Sequence, residues 1–219
     1  GEPIVRISVL VSSFVAVLVV TAATASAQSA PASPLAVGVF AGGQAVEHIG
    51  AQVGAEIAWR HSPRIAVFGE CVWLQDAVSR RRVETAASVA ARLSQTQGRA
   101  ATADLEAPTT AFTGGVRLVL GRPNAALRPY VVVQGGAARV VLRPEFALDG
   151  STITSDLSRY GVTLGEDLTG TSVKPAFGGG VGVAMERGAL TIDASLRVLS
   201  IRTTGQTTNV MRLGVGVSR

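Results

Sequence analysis

The stretch Leu190-Thr-Ile-Asp-Ala-Ser-Leu-Arg-Val198 alternates apolar and polar side chains without a break. Successive side chains of a β-strand point to opposite faces, whereas an amphipathic helix repeats its apolar residues every three to four positions. The stretch therefore predicts a strand with one apolar face and one polar face, the polar face being formed by Thr191, Asp193, Ser195 and Arg197.

The same period of two recurs along most of the chain. Hydrophobic residues make up 47% of the sequence and charged residues 16%, yet after the N-terminal segment no apolar run approaches the roughly 20 residues of a membrane-spanning helix. Apolar residues spread by alternation indicate many short strands. The predicted strands span Leu35–Gly43, Gln52–Arg60, Arg64–Gln75, Phe112–Gly121, Leu127–Leu142, Lys174–Arg187, Leu190–Val198 and Val210–Ser218.

The links between these strands alternate in length. Short links span 61–63, 121–126 and 186–189 and contain turn-forming Pro, Gly and Asn. Long links span 44–51, 76–111, 143–173 and 201–208. Transmembrane β-barrels have short turns at one end and longer loops at the other. The sequence thus predicts an all-β fold, an eight-stranded antiparallel up-and-down transmembrane β-barrel; a soluble lipocalin-like barrel with its apolar face inside is the alternative fold.

The polar faces of the strands carry acidic and basic residues in balance. An eight-stranded barrel is only wide enough for side chains to fill its interior, and buried charges persist when they are paired. We therefore expect a structural ion network that plugs the lumen, formed by Glu56, Glu70, Arg117, Asp193, Arg197 and Arg212. Arg60 and Glu186 lie on the same faces but nearer the turns.

Aromatic residues are expected where the strands cross the membrane–water interfaces. Such barrels place aromatic girdles at both interfaces. Only 5% of the residues are aromatic, so the girdles would be thin. The candidates are Trp59, Trp73, Phe112, Tyr130 and Phe177.

The N-terminal segment has the layout of a secretory signal peptide. Arg6 precedes an apolar core over residues 7–20, and Ala25-Ser-Ala27 matches a cleavage site. We therefore expect a signal peptide over residues 1–27, a linker over 28–33 and the barrel over 34–219. Export of this kind, followed by barrel assembly, predicts location in the outer membrane of a Gram-negative bacterium.

Three segments resemble the bacterial outer-membrane β-barrel domain family, the small eight-stranded, porin-like proteins related in form to the OmpA membrane domain. They are Ala126-Leu-Arg-Pro-Tyr-Val-Val-Val-Gln-Gly-Gly-Ala137, Phe177-Gly-Gly-Gly-Val-Gly-Val-Ala184 and Val210-Met-Arg-Leu-Gly-Val-Gly-Val217. The resemblance implies a structural, adhesion or immune-evasion role, with lipid-modifying enzymes as a minority. In members of this family the last strand usually ends in an aromatic residue that serves as an assembly signal, whereas this sequence has Arg219 there.

Candidate chemistry is sparse. The net charge of +5 does not indicate nucleic-acid binding, because the arginines are scattered and lack interleaved aromatic residues. No cofactor is implied. His48 could serve an outer-leaflet enzyme that modifies lipid A, but its neighbour Glu47 would point to the opposite face of a strand, so a non-enzymatic role is expected.

The expected partners follow from the barrel prediction. They are outer-membrane lipid and lipopolysaccharide, the outer-membrane assembly machinery, and an extracellular ligand of loops 76–111 and 143–173. The first of these loops carries Arg80, Arg81 and Arg82, followed by an Ala-rich stretch, Val83–Leu93, that fits a short surface helix or lies between projecting strands.

Overall fold

The computed structural model describes residues 34–122, 125–153, 157–161, 165, 168–203 and 206–219. The predicted signal peptide and linker lie outside these residues. The strands are β1 (Leu35–Ala45), β2 (Ile49–Arg60), β3 (Ile65–Leu74), β4 (Ala101–Glu106), β5 (Thr109–Val119), β6 (Leu127–Leu148), β7 (Ser151–Thr152), β8 (Gly170–Arg187), β9 (Leu190–Thr203) and β10 (Gln206–Ser218). The helix α1 (Arg80–Gln97) precedes β4, and a short 3₁₀ helix spans Leu157–Tyr160.

Eight of the strands form a closed antiparallel ring. Each of β1, β2, β3, β5, β6, β8, β9 and β10 pairs with the next in this order. Pairing of β1 with β10, for example Val39 with Val217, closes the ring. Closure leaves no free strand edge within the ring, which is the condition for spanning hydrocarbon with strands. The predicted eight-stranded up-and-down barrel is confirmed.

The ends of the barrel differ in their connections. At one end, here called the turn end, β2–β3, β5–β6 and β8–β9 are joined by short links, as predicted. At the other end, the loop end, only the β3–β5 and β6–β8 connections are long. The predicted long links 44–51 and 201–208 are wrong in length, because most of their residues continue the ladders: Gln44 pairs with Gly50, and Thr203 pairs with Gln206.

The alternation of β9 sorts its side chains as expected. Ile192, Leu196 and Val198 are 38–43% exposed on the outside, while Arg197 is 5% exposed and faces the lumen. The same sorting around the ring leaves an apolar belt of exposed residues that includes Val37, Val39, Val53, Ile57, Val67, Phe112, Val116, Leu118, Val133, Phe177, Val181, Val183, Met211, Leu213 and Val215. Cys71 also lies on this outer surface.

The loop end projects beyond the ring. Strand β6 has 22 residues, a length of about 70 Å at the usual rise per residue. Its last part, from Arg143 to Leu148, pairs with β4 rather than with ring strands. Helix α1 buries Ala90 and Leu93 against this extension and Ala86 in the apolar cluster at the loop end of the lumen. The expected surface helix is therefore present and longer than predicted, spanning Arg80–Gln97. The strands that project are β4 and the end of β6, not the two strands that flank the loop, β3 and β5.

Gly98 caps the C-terminus of helix α1. This residue has φ of 64°, in the left-handed region that glycine adopts without strain, and its N–H donates to the Ser94 carbonyl. Among the described residues, no helix combines the length and the apolar character needed to span a bilayer.

A glycine makes room for the largest buried side chain in the lumen. Tyr130 is 1% exposed, and a Cβ built on the facing Gly182 would lie 2.3 Å from its Cζ and Oη atoms. Gly69, on the outer face, has space for a methyl group because the nearest atom, of Ile57, would lie 3.7 Å away.

We therefore expect Gly182→Ala to destabilise the barrel by about 1–3 kcal/mol, the usual cost of overpacking a filled interior. Gly69→Ala is the matched control and should change stability by much less. The free energy of unfolding in guanidinium chloride, measured on protein folded in detergent, checks this. Equal values for the two variants would contradict the assigned packing.

Candidate functional site

A chain of charged side chains crosses the lumen at mid-height. Arg117 Nη2 donates to Glu56 Oε1 at 2.7 Å, and Arg197 Nη2 donates to Glu56 Oε2 at 3.1 Å. Arg197 Nη1 also donates to Glu70 Oε2 at 2.5 Å. Glu70 in turn accepts from Arg212 Nη1 at 2.7 Å. These five residues, here called the lumen network, thus form one continuous set of charge-assisted hydrogen bonds drawn from five strands.

Neutral groups complete the shell around the lumen network. Gln52 accepts from Arg212 Nε at 2.7 Å and donates to the Leu213 carbonyl. The Arg117 guanidinium lies 4.5 Å from the ring centre of Tyr130, and Arg197 lies 5.5 Å from that of Phe68. Cation–π contact stabilises a desolvated guanidinium. The aromatic rings therefore support the arginines on the side that faces the turn end.

Asp193 stands apart from the hydrogen-bonded chain. It makes no ion pair with any described residue within 4.0 Å, but it lines the same cavity of about 40 Å³ as Arg117 and Arg197. The lumen network holds three arginines against two glutamates, so Asp193 brings the formal charge of the six predicted residues to zero. The structure thus joins five of the six directly and places Asp193 beside them.

A second ion cluster lies near the turn end. Glu186 pairs with Arg60 at 3.2 Å and also with Arg128. The sequence pattern indicates Arg60 and Glu186 as inward-facing ions, whereas Arg128, on the polar face of its strand, is not among the predicted ions. Its position in the inward register of β6, two residues before Tyr130, is the signal that could have found it.

In the loop half of the lumen, apolar side chains pack beside the buried polar residues Gln44, Thr109 and Thr208. The alternating pattern does not predict this apolar layer. Val72, Leu74, Leu199 and Val210 are completely buried there and belong to one cluster with Val78 at the start of the α1 segment. Several inward residues at this height are apolar like their outward neighbours, so the alternation weakens there. Runs such as Val72-Trp-Leu74 show the change in the sequence.

The predicted interface aromatics divide into two groups. Trp59, Trp73, Phe112 and Phe177 are 42–59% exposed on the outside of the barrel. Trp59 lies near the turn end, and the others lie toward the loop end. The prediction for Tyr130 is wrong: it lies on the inward face of β6 with Arg128, because the two residues are two positions apart in the strand, and it packs in the lumen with Phe68.

His48 lies exposed in the tight β1–β2 turn at the loop end. Within the described residues, its side chain has no hydrogen bond or ion pair with a carboxylate or hydroxyl group. The described residues also contain no cluster of three or more potential metal-ligating side chains.

The loop-end extension is tied together through Asp149. Its carboxylate accepts from Arg99 Nε at 2.7 Å and from the Ala100 N–H at 3.1 Å. The hydrogen bond from Arg99 is the main reason that the pKa of Asp149 lies below its ordinary value. This contact fastens the segment after α1 to the end of β6.

A closed eight-stranded barrel with an apolar outer belt and a filled, charged lumen has the fold of the small outer-membrane β-barrels. The solved structure of neisserial surface protein A (NspA) is similar to this chain, with a TM-score of 0.53, 11% identity, and coverage of 85% of this chain and 96% of NspA. The low identity limits this likeness to the fold.

Two other solved structures match over a similar length. A major outer membrane protein of Thermus thermophilus has a TM-score of 0.45 and 11% identity, covering 84% of this chain and 98% of that protein. The N-terminal β-barrel domain of Pseudomonas aeruginosa OprF has a TM-score of 0.43 and 15% identity, covering 84% and 97%. No protein-family model and no curated protein sequence matches this chain.

Arg197 bridges both glutamates of the lumen network, so its removal should be costly. We expect Arg197→Met to destabilise the barrel by about 3–5 kcal/mol, because it leaves buried carboxylates without their partner. Arg80→Met is the matched control; Arg80 makes an exposed pair with Glu84 in α1, and such pairs contribute at most about 0.5 kcal/mol. Guanidinium unfolding in detergent measures both. A loss below about 1 kcal/mol for Arg197→Met would contradict a structural role for the network.

Proposed function

We propose that this chain is an outer-membrane barrel of a Gram-negative bacterium that serves as a structural platform for surface interactions. The observation that carries this proposal is the continuous apolar belt on the outside of the closed ring. A water-soluble barrel of this size would not expose so many large apolar side chains, because contiguous apolar patches beyond a few hundred Å² are rare on soluble monomers.

Closure of the lumen supports a role other than transport. The lumen network, the Tyr130–Phe68 layer and the apolar cluster follow one another along the barrel. The cavity beside the network measures about 40 Å³ and the one below it, toward the turn end, about 80 Å³. Each holds at most a few water molecules. We therefore propose that no solute passes through the barrel.

The loop end supplies the surface for interaction. The α1–β4 segment and the extended end of β6 project beyond the ring and have their own packed core around Leu93 and Phe146. A packed extension presents side chains in fixed positions, which favours recognition by a preformed surface. We propose that an extracellular ligand contacts this extension, within the predicted loops 76–111 and 143–173.

We propose no catalytic chemistry for this chain. An outer-leaflet enzyme would need a nucleophile or base positioned by a second polar group. The exposed His48 side chain, which no described carboxylate or hydroxyl positions, supports a non-enzymatic role over the lipid A-modifying alternative.

Two measurements on one refolded sample test the proposal. Residues 28–219, folded in detergent, should migrate faster in SDS gels before boiling than after it, because closed barrels resist SDS until heated. The same protein in planar lipid bilayers should show no steady conductance, because the lumen is filled. Boiled and unboiled bands of equal mobility, from a chain that stays soluble without detergent, would favour the lipocalin-like fold. A stable open channel would refute the closed lumen.

A further inference from the structure

The barrel gathers arginines that are scattered in the sequence. Arg64 lies between β2 and β3, Arg122 between β5 and β6, and Arg187 at the turn between β8 and β9. All three are exposed. Every link at the turn end thus contributes an exposed arginine, and the three positions are distributed around the rim of the ring. Arg64, Arg122 and Arg187 are here called the arginine rim.

The remaining charges at this end do not neutralise the arginine rim. Arg219, directly after β10, is also exposed and its backbone pairs with Val37. Arg60 and Arg128 share one carboxylate, Glu186. Among the described residues, Glu186 is the exposed acidic side chain at the turn end, and its two arginines already exceed its charge. None of the rim arginines has an ion-pair partner in the described part of the chain.

The loop end has a different charge pattern. There Arg80 pairs with Glu84, and Arg99 pairs with Asp149. Unpaired carboxylates such as Glu145 also lie on the extension. Exposed basic side chains such as Arg92 and Arg139 lie toward the loop end as well, but carboxylates are interspersed with them there. The turn end differs because Glu186 is its exposed acidic side chain among the described residues.

The arginine rim borders the apolar belt directly. Ile65 follows Arg64 and is 39% exposed, and Leu120, two residues before Arg122, is 43% exposed. Trp59 is 49% exposed nearby on β2. Side chains at the border of a lipid-facing belt lie at the depth of the lipid headgroups. Guanidinium groups bind phosphate through paired hydrogen bonds and also through charge.

We propose that the arginine rim binds the phosphate groups of anionic phospholipids in the membrane leaflet on the turn side. This inference rests on the proposed membrane-spanning function. Enrichment of anionic lipid around the turn end would anchor the barrel at a fixed depth, since each exposed guanidinium gains a phosphate partner only while the rim stays at the headgroup level.

The two tryptophans allow the lipid preference of each end to be measured separately. Trp73→Phe leaves Trp59 as the reporter of the turn end, and Trp59→Phe leaves Trp73 as the reporter of the loop end. Each variant is reconstituted in two kinds of vesicle. One contains brominated phosphatidylglycerol and plain phosphatidylcholine, and the other contains plain phosphatidylglycerol and brominated phosphatidylcholine. Quenching of tryptophan fluorescence by brominated chains gives the relative occupancy of the two lipids beside each reporter.

We expect an approximately fivefold preference for phosphatidylglycerol at Trp59, the size that one guanidinium near an anionic surface provides. The triple variant Arg64→Gln, Arg122→Gln, Arg187→Gln should bring this preference close to one and leave the result at Trp73 unchanged. Salt at about 1 M, where the Debye length is about 3 Å, should also reduce the preference for phosphatidylglycerol at Trp59 when the three rim arginines are present.

Equal quenching of Trp59 by the two brominated lipids, or a preference that survives the triple substitution, would overturn the inference. The inference would also be overturned if the barrel showed no lipid preference but sedimented with an anionic cell-wall polymer, and if the triple substitution abolished that sedimentation. If neither brominated lipid quenches either tryptophan, the barrel does not lie in the bilayer and the proposed function itself fails.

Discussion

Backbone pairing between β1 and β10 is the constraint from which the rest of the structure follows. It converts a row of strands into a ring, so that every ring strand has hydrogen-bonding partners on both sides. Once the ring is closed, each strand must present one face outward and one inward. The outer face can then be apolar without exposing backbone groups to hydrocarbon, and the inner face must fill a narrow space with side chains.

Different kinds of side chain fill the lumen in successive layers. Near the turn end and at mid-height, arginines form ion pairs with glutamates, and the rings of Phe68 and Tyr130 pack between them. Toward the loop end, aliphatic side chains replace the ions and continue into the core under α1. The ionic layers hold opposite charges at short distances, where their attraction offsets part of the cost of removing them from water. The aliphatic layer makes the junction with the loop-end extension.

The alternation of apolar and polar residues makes the ring of strands predictable from the sequence. Where the alternation is lost, the inward and outward faces cannot be assigned. The polar positions of β9 place Arg197 in the lumen, and the same register places Glu56, Glu70 and Arg212 beside it. Leu199, by contrast, has an apolar neighbour on the outer face, so period two could not distinguish the inside from the outside there. The residue type of Tyr130 suggests an interface position, but its register in β6 places it in the lumen. Strand β4 was missed because its six residues are mostly small and polar, and they pair only with a projecting part of β6.

The membrane-spanning barrel requires that its outer face contacts lipid. The single cysteine of the chain provides a direct probe of this contact. Cys71 lies on the outside of β3, opposite Ala55 and Phe112 in the neighbouring strands. A nitroxide attached to Cys71 of the otherwise unchanged barrel in lipid vesicles should collide frequently with oxygen and rarely with a water-soluble nickel chelate. Frequent collision with the chelate and little with oxygen would show that the apolar belt faces water, and would contradict the membrane-spanning barrel.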